Sequence, residues 1–411
     1  MHRISRYIYK HLLLPALLWL VVCPVVMGQS HNGSSTPFSM STYGELNDNV
    51  PNTYRGMGGV GFGMRSNKAI NPMQPAAYTA GDSLTFMFDV AASVSWTGYG
   101  DQFGSTNKAN GNLEYIAMQF PLWKRYVAFS AGILPFSAKG YEMTKRDSIN
   151  SDYHYQTLYA GYGTISQVYV GLGFNICDWL ALGANLYYMF GEVEDYRGIV
   201  FDENLTSVAQ GSYMDVNSLR FRVGGQFFHK FDDHSFVLGT VFENKMKVRG
   251  NELVIESAYA DTVSTTDCGE FPMMFGVGAN YCWANRLTLA FDFGRHCFAQ
   301  TEYAEAWSLK NRDRYAFGLE YRNNPMGRRY VDRIAWRAGV SMTDSYQTTM
   351  DAKQIGASLG VGFPLRNAGT VFNVSLEYAH RNLKNGGLRD DQIKLTLNAA
   401  IVENWFFKRK L

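Results

Sequence analysis

The chain has 411 residues, enough for two or three soluble domains or for one large β-architecture. Charged residues make up only 18% and aromatic residues 15%, with 40 glycines, a mixture that favours strands and turns over helices. The formal net charge of +2 and the absence of a long Lys/Arg run argue against nucleic acid as a partner.

The first 28 residues have the features of a secretory signal peptide. Basic residues precede an apolar run from Leu12 to Met27, and the small-residue spacing that follows predicts cleavage before Gln29. A membrane anchor is the alternative, but the run is short and is interrupted by Pro15 and Pro24. We therefore predict that the protein is exported and that residues 1–28 are removed.

Four cysteines follow the predicted cleavage point, and they do not indicate a metal site. Cys177, Cys268, Cys282 and Cys297 form no C-x-x-C pair, and no His/Cys cluster has zinc spacing. We expect no cofactor. No later segment approaches 18 continuous apolar residues, so no transmembrane helix is predicted. A secreted β-protein or an outer-membrane barrel fits these observations.

Strand-like alternation begins at Ser83, whereas residues 30–82 are rich in Gly, Asn, Pro and Ser and show little periodicity. Val168–Phe174 is the clearest alternating segment. The pattern predicts fourteen strands, near 83–97, 111–122, 125–140, 155–176, 179–196, 211–230, 234–249, 271–283, 286–299, 313–323, 333–343, 351–364, 370–382 and 390–407.

The lengths of the predicted connections alternate along the chain. Those at 98–110, 141–154, 197–210, 250–270 and 300–312 are long, and those between them are mostly tight. Short turns at one end and long loops at the other are typical of a transmembrane β-barrel and not of a Greek-key sandwich. We therefore predict an all-β, 14-stranded antiparallel barrel in a Gram-negative outer membrane, with interfacial tryptophans near strand ends at Trp96, Trp123, Trp179, Trp283 and Trp405.

The alternation also separates apolar from charged side chains. On strand 211–230, Leu219 and Phe221 share one face while Arg220 and Arg222 lie on the other. In a bilayer the apolar face contacts lipid and the charged face lines the lumen. Arg220 with Arg222 could bind an anionic head group or pair with lumen acids. The same parity predicts six charged lumen residues: Arg220, Arg222, Asp292, Glu320, Arg337 and Glu377.

Two short motifs match catalytic patterns but lack the required context. Residues 56–61 fit G-x-G-x-x-G without a preceding strand or a following helix, so a flexible glycine segment is expected. Residues 356–360 fit G-x-S-x-G but alternate as a strand, which predicts that Ser358 is a small lumen-facing residue. We expect no enzyme. A barrel lipase with a Ser-His pair is the alternative.

Several segments resemble a known family of barrels. "YRGMGGVGFGMRSNKAINPMQPAAY" (54–78), "ILPFSAKGY", "IGASLGVGFPLR" and the closing "NWFFKRKL" are similar to FadL-type long-chain fatty-acid transporters. The likeness is greater to a branch of FadL-like barrels that ends in "WF" and a basic tail. The resemblance implies fourteen strands in residues 83–411 and a hatch in the lumen formed by residues 29–82.

The resemblance also identifies candidate hatch residues. These are Arg55, Gly56, Gly58, Gly59, Asn71, Pro72, Gln74, Pro75 and Ala76. The family carries Asn-Pro-Ala in the hatch, whereas this chain has Gln74-Pro75-Ala76 after Asn71-Pro72. The Asn-to-Gln departure puts in doubt whether the hatch contacts and ligand release match those of the transporters.

The third predicted strand contains an interruption, "AGILPFSAKGY" (131–141). Pro135 cannot donate a ladder hydrogen bond and belongs at an edge or a bulge. By the family resemblance, Gly132 and Pro135 would break this strand and open a lateral portal in the wall. The alternative is that Pro135 lies in an extracellular extension of the strand, beyond the membrane.

Two functional hypotheses follow. The first is passive transport of a hydrophobic or amphipathic small molecule or lipid, such as a long-chain fatty acid, with lateral release near Gly132 and Pro135. The second is a partner-binding barrel subunit of an outer-membrane secretion or assembly complex, whose long loops would hold a protein segment. Both place the protein among outer-membrane lipids.

Overall fold

The computed structural model describes residues 36–40, 42–100, 104–148, 154–201, 208–256, 261–302, 305, 308–365, 369–383 and 387–405. Among these, the side chains of residue 208 and of 249–268 are not described. The predicted signal peptide and the basic tail lie outside the described residues. Within the described residues, none of the helices is long and apolar enough to cross a bilayer. The helices are short 3₁₀ turns at Pro37–Met40, Asn52–Met57, Pro75–Ala80, Phe298–Gln300 and Val331–Arg333.

A single antiparallel sheet contains seventeen strand segments. The first nine are β1 (Glu45–Leu46), β2 (Thr85–Gly100), β3 (Ser105–Trp123), β4 (Val127–Ser148), β5 (His154–Cys177), β6 (Leu180–Phe201), β7 (Val208–Phe231), β8 (His234–Glu243) and β9 (Met246–Glu256). The others are β10 (Asp261–Phe271), β11 (Met274–Trp283), β12 (Leu287–His296), β13 (Arg312–Tyr321), β14 (Ala335–Asp344), β15 (Ala352–Pro364), β16 (Val371–Leu383) and β17 (Arg389–Asn404).

The sheet closes into a barrel because β17 pairs with β2, from Arg389 opposite Gly100 to Asn404 opposite Thr85. Strand β9 continues β8 and β10 leads into β11, so each of these two pairs forms one wall strand, and β1 lies outside the count. The predicted 14-stranded antiparallel barrel is confirmed. Tight turns at Lys124, Asp232 and Ala284-Asn285, each with positive φ, mark the end that we call periplasmic.

Several wall strands are longer than the sequence pattern indicates. β4, β6 and β7 extend through most of the predicted loops 141–154 and 197–210, and β9 with β10 forms a hairpin within the predicted loop 250–270. The prediction of a loop at 250–270 is therefore wrong. These extensions lie beyond the apolar band, so neither of their faces needs to be hydrophobic and the alternation that reveals a strand is lost.

The outer surface of the wall carries the apolar face of the alternation. Side chains such as Leu186, Leu219, Leu238 and Leu359 are exposed. Tryptophans at the periplasmic ends of five strands are exposed as well: Trp123, Trp179, Trp283, Trp336 and Trp405. An apolar band with an aromatic girdle is the surface that a barrel presents to a bilayer.

Candidate functional site

The hatch, defined here as residues 36–82, runs down the inside of the barrel from the extracellular end to the periplasmic end. At the extracellular end the Thr36 hydroxyl donates to the Asp390 carboxylate over 2.5 Å. Near the periplasmic end Arg65 donates to the side chain of Asn175 over 3.1 Å. The chain then turns back and enters the wall at β2. The protein's own N-terminal chain therefore occupies much of the lumen.

The glycine-rich part of the hatch binds a wall carboxylate through its backbone. The N–H groups of Gly61, Phe62 and Gly63 point at Asp292 on β12, with N···O distances of 2.5, 2.8 and 3.4 Å. Successive backbone N–H groups form an anion-binding concavity of this kind in many proteins. The segment is buried and packed, which differs from the flexible glycine segment expected from its sequence.

Glycines let the hatch contact the wall backbone directly. Gly58, in the left-handed region with φ +69°, lies against β14, where a Cβ on Gly339 would fall 2.1 Å from the Gly58 nitrogen. The Ser358 hydroxyl of β15 accepts from the Gly58 N–H over 2.8 Å. Ser358 is thus a hatch contact on a regular strand, in keeping with the strand context predicted for it.

Adding one methyl group at Gly339 is expected to displace the hatch. The three atoms nearest to the added carbon belong to the backbone of Met57 and Gly58, so no side chain can move aside. Overpacking of this kind costs about 1–3 kcal/mol or more. Gly339→Ala should leave a folded barrel whose hatch is cleaved faster by added protease. The matched control is Gly211→Ala on β7, where a Cβ would contact nothing within 4 Å. Equal hatch cleavage in both variants would contradict the close packing.

Gln74 holds the periplasmic half of the hatch to the wall. Its side chain is fully buried, and its amide nitrogen lies 3.3, 3.2 and 3.2 Å from the carbonyl oxygens of Phe62, Gly225 and Thr240. Glycines at 224 and 239 leave room for this longer amide. The departure from Asn in the family pattern therefore produces contacts with two wall strands.

Residues beside Gln74 extend these contacts. The Asn71 amide donates to the carbonyl oxygens of Gly61 and Met64 over 2.7 and 3.1 Å. The Pro72 carbonyl accepts from Asn185 and Arg222 over 3.1 and 3.0 Å. Pro75 begins the 3₁₀ turn Pro75–Ala80, and the Ala76 carbonyl accepts from Arg65 over 3.0 Å.

Four of the six predicted lumen charges, Arg220, Arg222, Glu320 and Arg337, form buried ion pairs. Arg220 and Arg222 both contact Glu243, with an Arg220–Glu243 distance of 2.7 Å. Arg337 lies 2.6 Å from Glu320. These arginines are thus paired with lumen acids, one of the two roles left open by the sequence.

Two further groups of ion pairs hold the upper hatch. Arg55 contacts Glu114 and lies 3.6 Å from Glu377, and Lys394 lies 2.5 Å from Glu114. This group links the hatch to three wall strands, β3, β16 and β17.

Above it, Asp48 of the hatch pairs with Arg312 and Arg314 at 2.6 and 3.1 Å. Burial alone would raise the pKa of Asp48, but the two guanidinium groups outweigh it and hold the pKa well below its usual value. Asp48 is therefore ionised at neutral pH.

The wall has a seam between β3 and β4. Pairing of these strands runs from Trp123 opposite Val127 to Ile116 opposite Ile133 and then ends within the described residues. Gly132 lies inside the paired part, where a Cβ would fall 2.4 Å from the Ile116 carbonyl oxygen, so it permits the close approach of the two strands. Pro135 lies just beyond the last pair. Its missing N–H suits a position where one ladder stops.

A bulge on each strand flanks the start of the seam. On β3 the register shifts at Glu114, and on β4 it shifts at Phe136, between Pro135 and Ser137. Both side chains are buried in the lumen. Glu114 joins the Arg55 and Lys394 cluster, whereas the Phe136 ring packs against Phe271 with centroids 4.8 Å apart. A bulge re-aims a side chain in this way.

The hatch covers part of the seam with a short strand of its own. In β1, Glu45 pairs with Ala138 and Leu46 with Ser137 of β4, and the Asn47 N–H donates to the Phe136 carbonyl over 2.8 Å. An ion pair also holds β1 in place, because Arg381 of β16 lies 2.5 Å from Glu45. β1 thus takes the place next to β4 that β3 would occupy in a continuous wall.

A cavity of about 380 Å³ lies in the lumen behind the seam. Its wall includes Leu46, Leu113, Pro135 and Ala138 next to the seam, and the Arg55, Glu114, Glu377 and Lys394 cluster on the inner side. The cavity therefore joins an apolar rim to a charged interior.

Comparison with known proteins places the chain in a family. The BamG family model matches residues 10–411, nearly the whole chain. The chain belongs to the BamG family. No curated protein matches it in sequence.

Solved structures show that this BamG-family chain has the fold of FadL-type barrels. A Pseudomonas aeruginosa FadL homologue matches with a TM-score of 0.59 and 14% identity, covering 88% of this chain and 99% of that one. The Ralstonia pickettii toluene transporter TbuX matches at 0.57 and 13%, covering 86% and 98%. The Pseudomonas putida toluene transporter TodX matches at 0.57 and 11%, covering 87% and 99%.

Three residues of this BamG-family barrel take part in the site without having been predicted from the sequence. Glu114 and Phe136 sit in bulges, which reverse the inside–outside parity, so the alternation could not assign their faces. Glu243 ends β8 and lies opposite Arg222 on β7. A lumen acid opposite Arg222 could have been sought, because a cross-strand pair of opposite charge is the ordinary arrangement.

Proposed function

We propose that this protein is a passive outer-membrane conduit for an amphipathic small molecule, which it exchanges laterally with the bilayer through the seam between β3 and β4. The observation that carries the proposal is the position of the seam relative to the apolar band. Trp96 lies at the outer edge of the exposed apolar residues on β2, and its partner on β3 is Ala109. The seam begins lower, at Ile116, and so opens within the band.

The rim of the seam supports lateral passage of an apolar chain. Leu113 and Ile133 flank the opening and are exposed to the outside. In hydrocarbon, unpaired backbone groups are tolerated only beside protein or a water-filled cavity. The luminal cavity behind the seam provides that surrounding, and β1 pairs with part of the β4 edge.

The interior of the cavity indicates the chemistry of the cargo. Glu114, Arg55, Glu377 and Lys394 could solvate a polar or charged end group, while the apolar end points to the rim. An amphiphile such as a fatty acid suits this arrangement better than a pure hydrocarbon, because an apolar ligand would displace water from the charged side of the cavity without offering it a hydrogen bond. The toluene transporters of the same fold would then differ from this chain in cargo.

Native mass spectrometry of the mature protein, purified from its own outer membrane in mild detergent, tests the proposal. We expect a co-purifying amphiphile. We also expect the protein to bind added isotope-labelled dodecanoate, and excess unlabelled dodecanoate should displace it. Ala138→Trp should reduce binding because the indole fills the rim, whereas Ala209→Trp on β7, three strands from β4, should not. A barrel that carries no small molecule and binds no dodecanoate would contradict the conduit.

The second candidate is a partner-binding barrel subunit of an outer-membrane secretion or assembly complex. The observation in its favour is the free edge of the seam, because an unpaired strand edge is a template for an extended segment of another protein. β1 already binds β4 in this way. A protein that co-purifies at fixed stoichiometry, in place of a small ligand, would favour this candidate.

A further inference from the structure

A second cavity, separate from the seam, lies at the periplasmic mouth of the barrel. It has a volume of about 140 Å³ and lies between the hatch and the connection from β13 to β14. This is well above the roughly 10–15 Å³ that a single water requires. Four cationic side chains line it: Lys68, Arg322, Arg333 and Arg337. We call it the periplasmic pocket.

Two of the four cations share one carboxylate. The two oxygens of Glu320 lie 2.6 Å from the Nη2 of Arg322 and 2.6 Å from the Nε of Arg337. The Nη1 of Arg337 donates to Asn373 over 2.6 Å. Each oxygen of Glu320 is therefore already paired with an arginine, and no ion pair joins Glu320 to Lys68 or Arg333 among the described residues.

The other two cations lack an anion within the described part of the chain. The Nε of Arg333 is buried there and donates no hydrogen bond. Lys68 forms no ion pair among the described residues; Glu320 and Asp82 act on it from a distance, and Asp82 accepts from Asn67 over 3.2 Å. Burial and the neighbouring Arg322 lower the pKa of Lys68, which fits a pocket with surplus positive charge.

We propose that the periplasmic pocket binds a phosphate group, carried by a lipid head group or by a free phosphate compound. Guanidinium groups match phosphate oxygens in a bidentate fork, and a lysine ammonium adds a point charge. A carboxylate presents its two oxygens in one plane, whereas a phosphate presents acceptors to donors on several sides. The proposal is independent of the seam, because the two cavities share no lining residue.

The connection from β13 to β14 brings this pocket close to a membrane surface. Among the described periplasmic turns it is the long one, and its tip exposes Met326, Tyr330 and Val331 beside Arg328 and Arg329. Apolar and basic side chains together are typical of segments that contact an anionic lipid surface. A lipid of the periplasmic leaflet is therefore the favoured source of the phosphate group.

The test measures phosphate binding to the full mature protein after delipidation in mild detergent. Native mass spectrometry would follow adducts of phosphatidylglycerol, with phosphatidylcholine as the zwitterionic lipid and glycerol 3-phosphate as the soluble compound. The pocket variant is Lys68→Gln with Arg333→Gln. The matched control is Lys230→Gln with Arg286→Gln, which removes the same charge from exposed positions at two other periplasmic turns.

We expect the pocket variant to bind phosphatidylglycerol about tenfold more weakly, a change of roughly 1.4 kcal/mol, and the control to bind as the wild type does. Heat-modifiable migration in gels would show that both variants retain the barrel. If glycerol 3-phosphate also binds and loses affinity only in the pocket variant, a soluble source is supported as well. Equal lipid binding by the pocket variant and the wild type, or loss only in the control, would overturn the proposal.

Discussion

Locking β1 to β4 with a disulfide is expected to stop ligand exchange. Leu46 and Ser137 face each other across these strands, so Leu46→Cys with Ser137→Cys places two thiols on neighbouring antiparallel positions. Exchange of a fluorescent dodecanoate derivative between proteoliposomes should fall to the rate of protein-free vesicles under oxidation. Reductant should restore it, because the hatch can again leave the seam.

The lock requires controls for the added cysteines and for the native ones. The experiment is made in a background with serine at Cys177, Cys268, Cys282 and Cys297. Glu194→Cys with Tyr213→Cys joins β6 and β7, two wall strands that are paired in any case, and should leave exchange unchanged. Exchange that continues at the wild-type rate with the Leu46–Ser137 pair oxidised would show that the cargo does not use the seam.

Asp292→Ala is expected to loosen the hatch and make the barrel leaky. Three buried N–H groups, at Gly61, Phe62 and Gly63, lose their acceptor. Since a hydrogen bond to a charged group contributes about 1.5–3 kcal/mol, loss of the two short bonds from Gly61 and Phe62 should cost the hatch about 3–6 kcal/mol. Planar-bilayer recordings should show frequent openings in the variant and rare ones in the wild type.

Two further variants sharpen this measurement. Asp178→Ala removes a carboxylate that is 88% exposed at a periplasmic turn, and it should conduct as the wild type does. Asp292→Asn keeps one acceptor oxygen and should fall between the wild type and Asp292→Ala. If Asp292→Ala opened as rarely as the wild type, other contacts, such as those of Gln74, would hold the hatch without the carboxylate.

The barrel itself could be predicted because its repeating physical constraint is visible in the sequence. Each membrane-level strand alternates between lipid and lumen, and this alternation shows at Val168–Phe174 on β5 and at Leu219–Val223 on β7. The extracellular extensions have no such constraint, and β9 and β10 were therefore missed. The predicted strand ends differ most from the observed ones where the apolar band stops.

The site was predicted only in part, because its partners come from distant parts of the chain. The alternation of side chains along its strand predicted that Asp292 faces the lumen. No local pattern shows that its partners are backbone N–H groups of the hatch. Pro135 marked the interruption of β4, whereas the bulges that turn Glu114 and Phe136 inward depend on the register of two strands. Lys68 and Arg333 line the same periplasmic pocket, and sequence spacing carries no information on their proximity.

The enclosed hatch imposes an order on how the molecule is built. The pair that closes the sheet joins Thr85 to Asn404, so the last strand synthesised must find the first. Such a non-local contact is slow to form, because the entropy of closing the loop is lost before the contact is gained. If closure came first, the chain that precedes β2 would have to thread past Arg222 and Arg314 to bring Thr36 to the far rim. We therefore expect the N-terminal chain to be in place before β17 pairs with β2, so that the wall strands assemble around it.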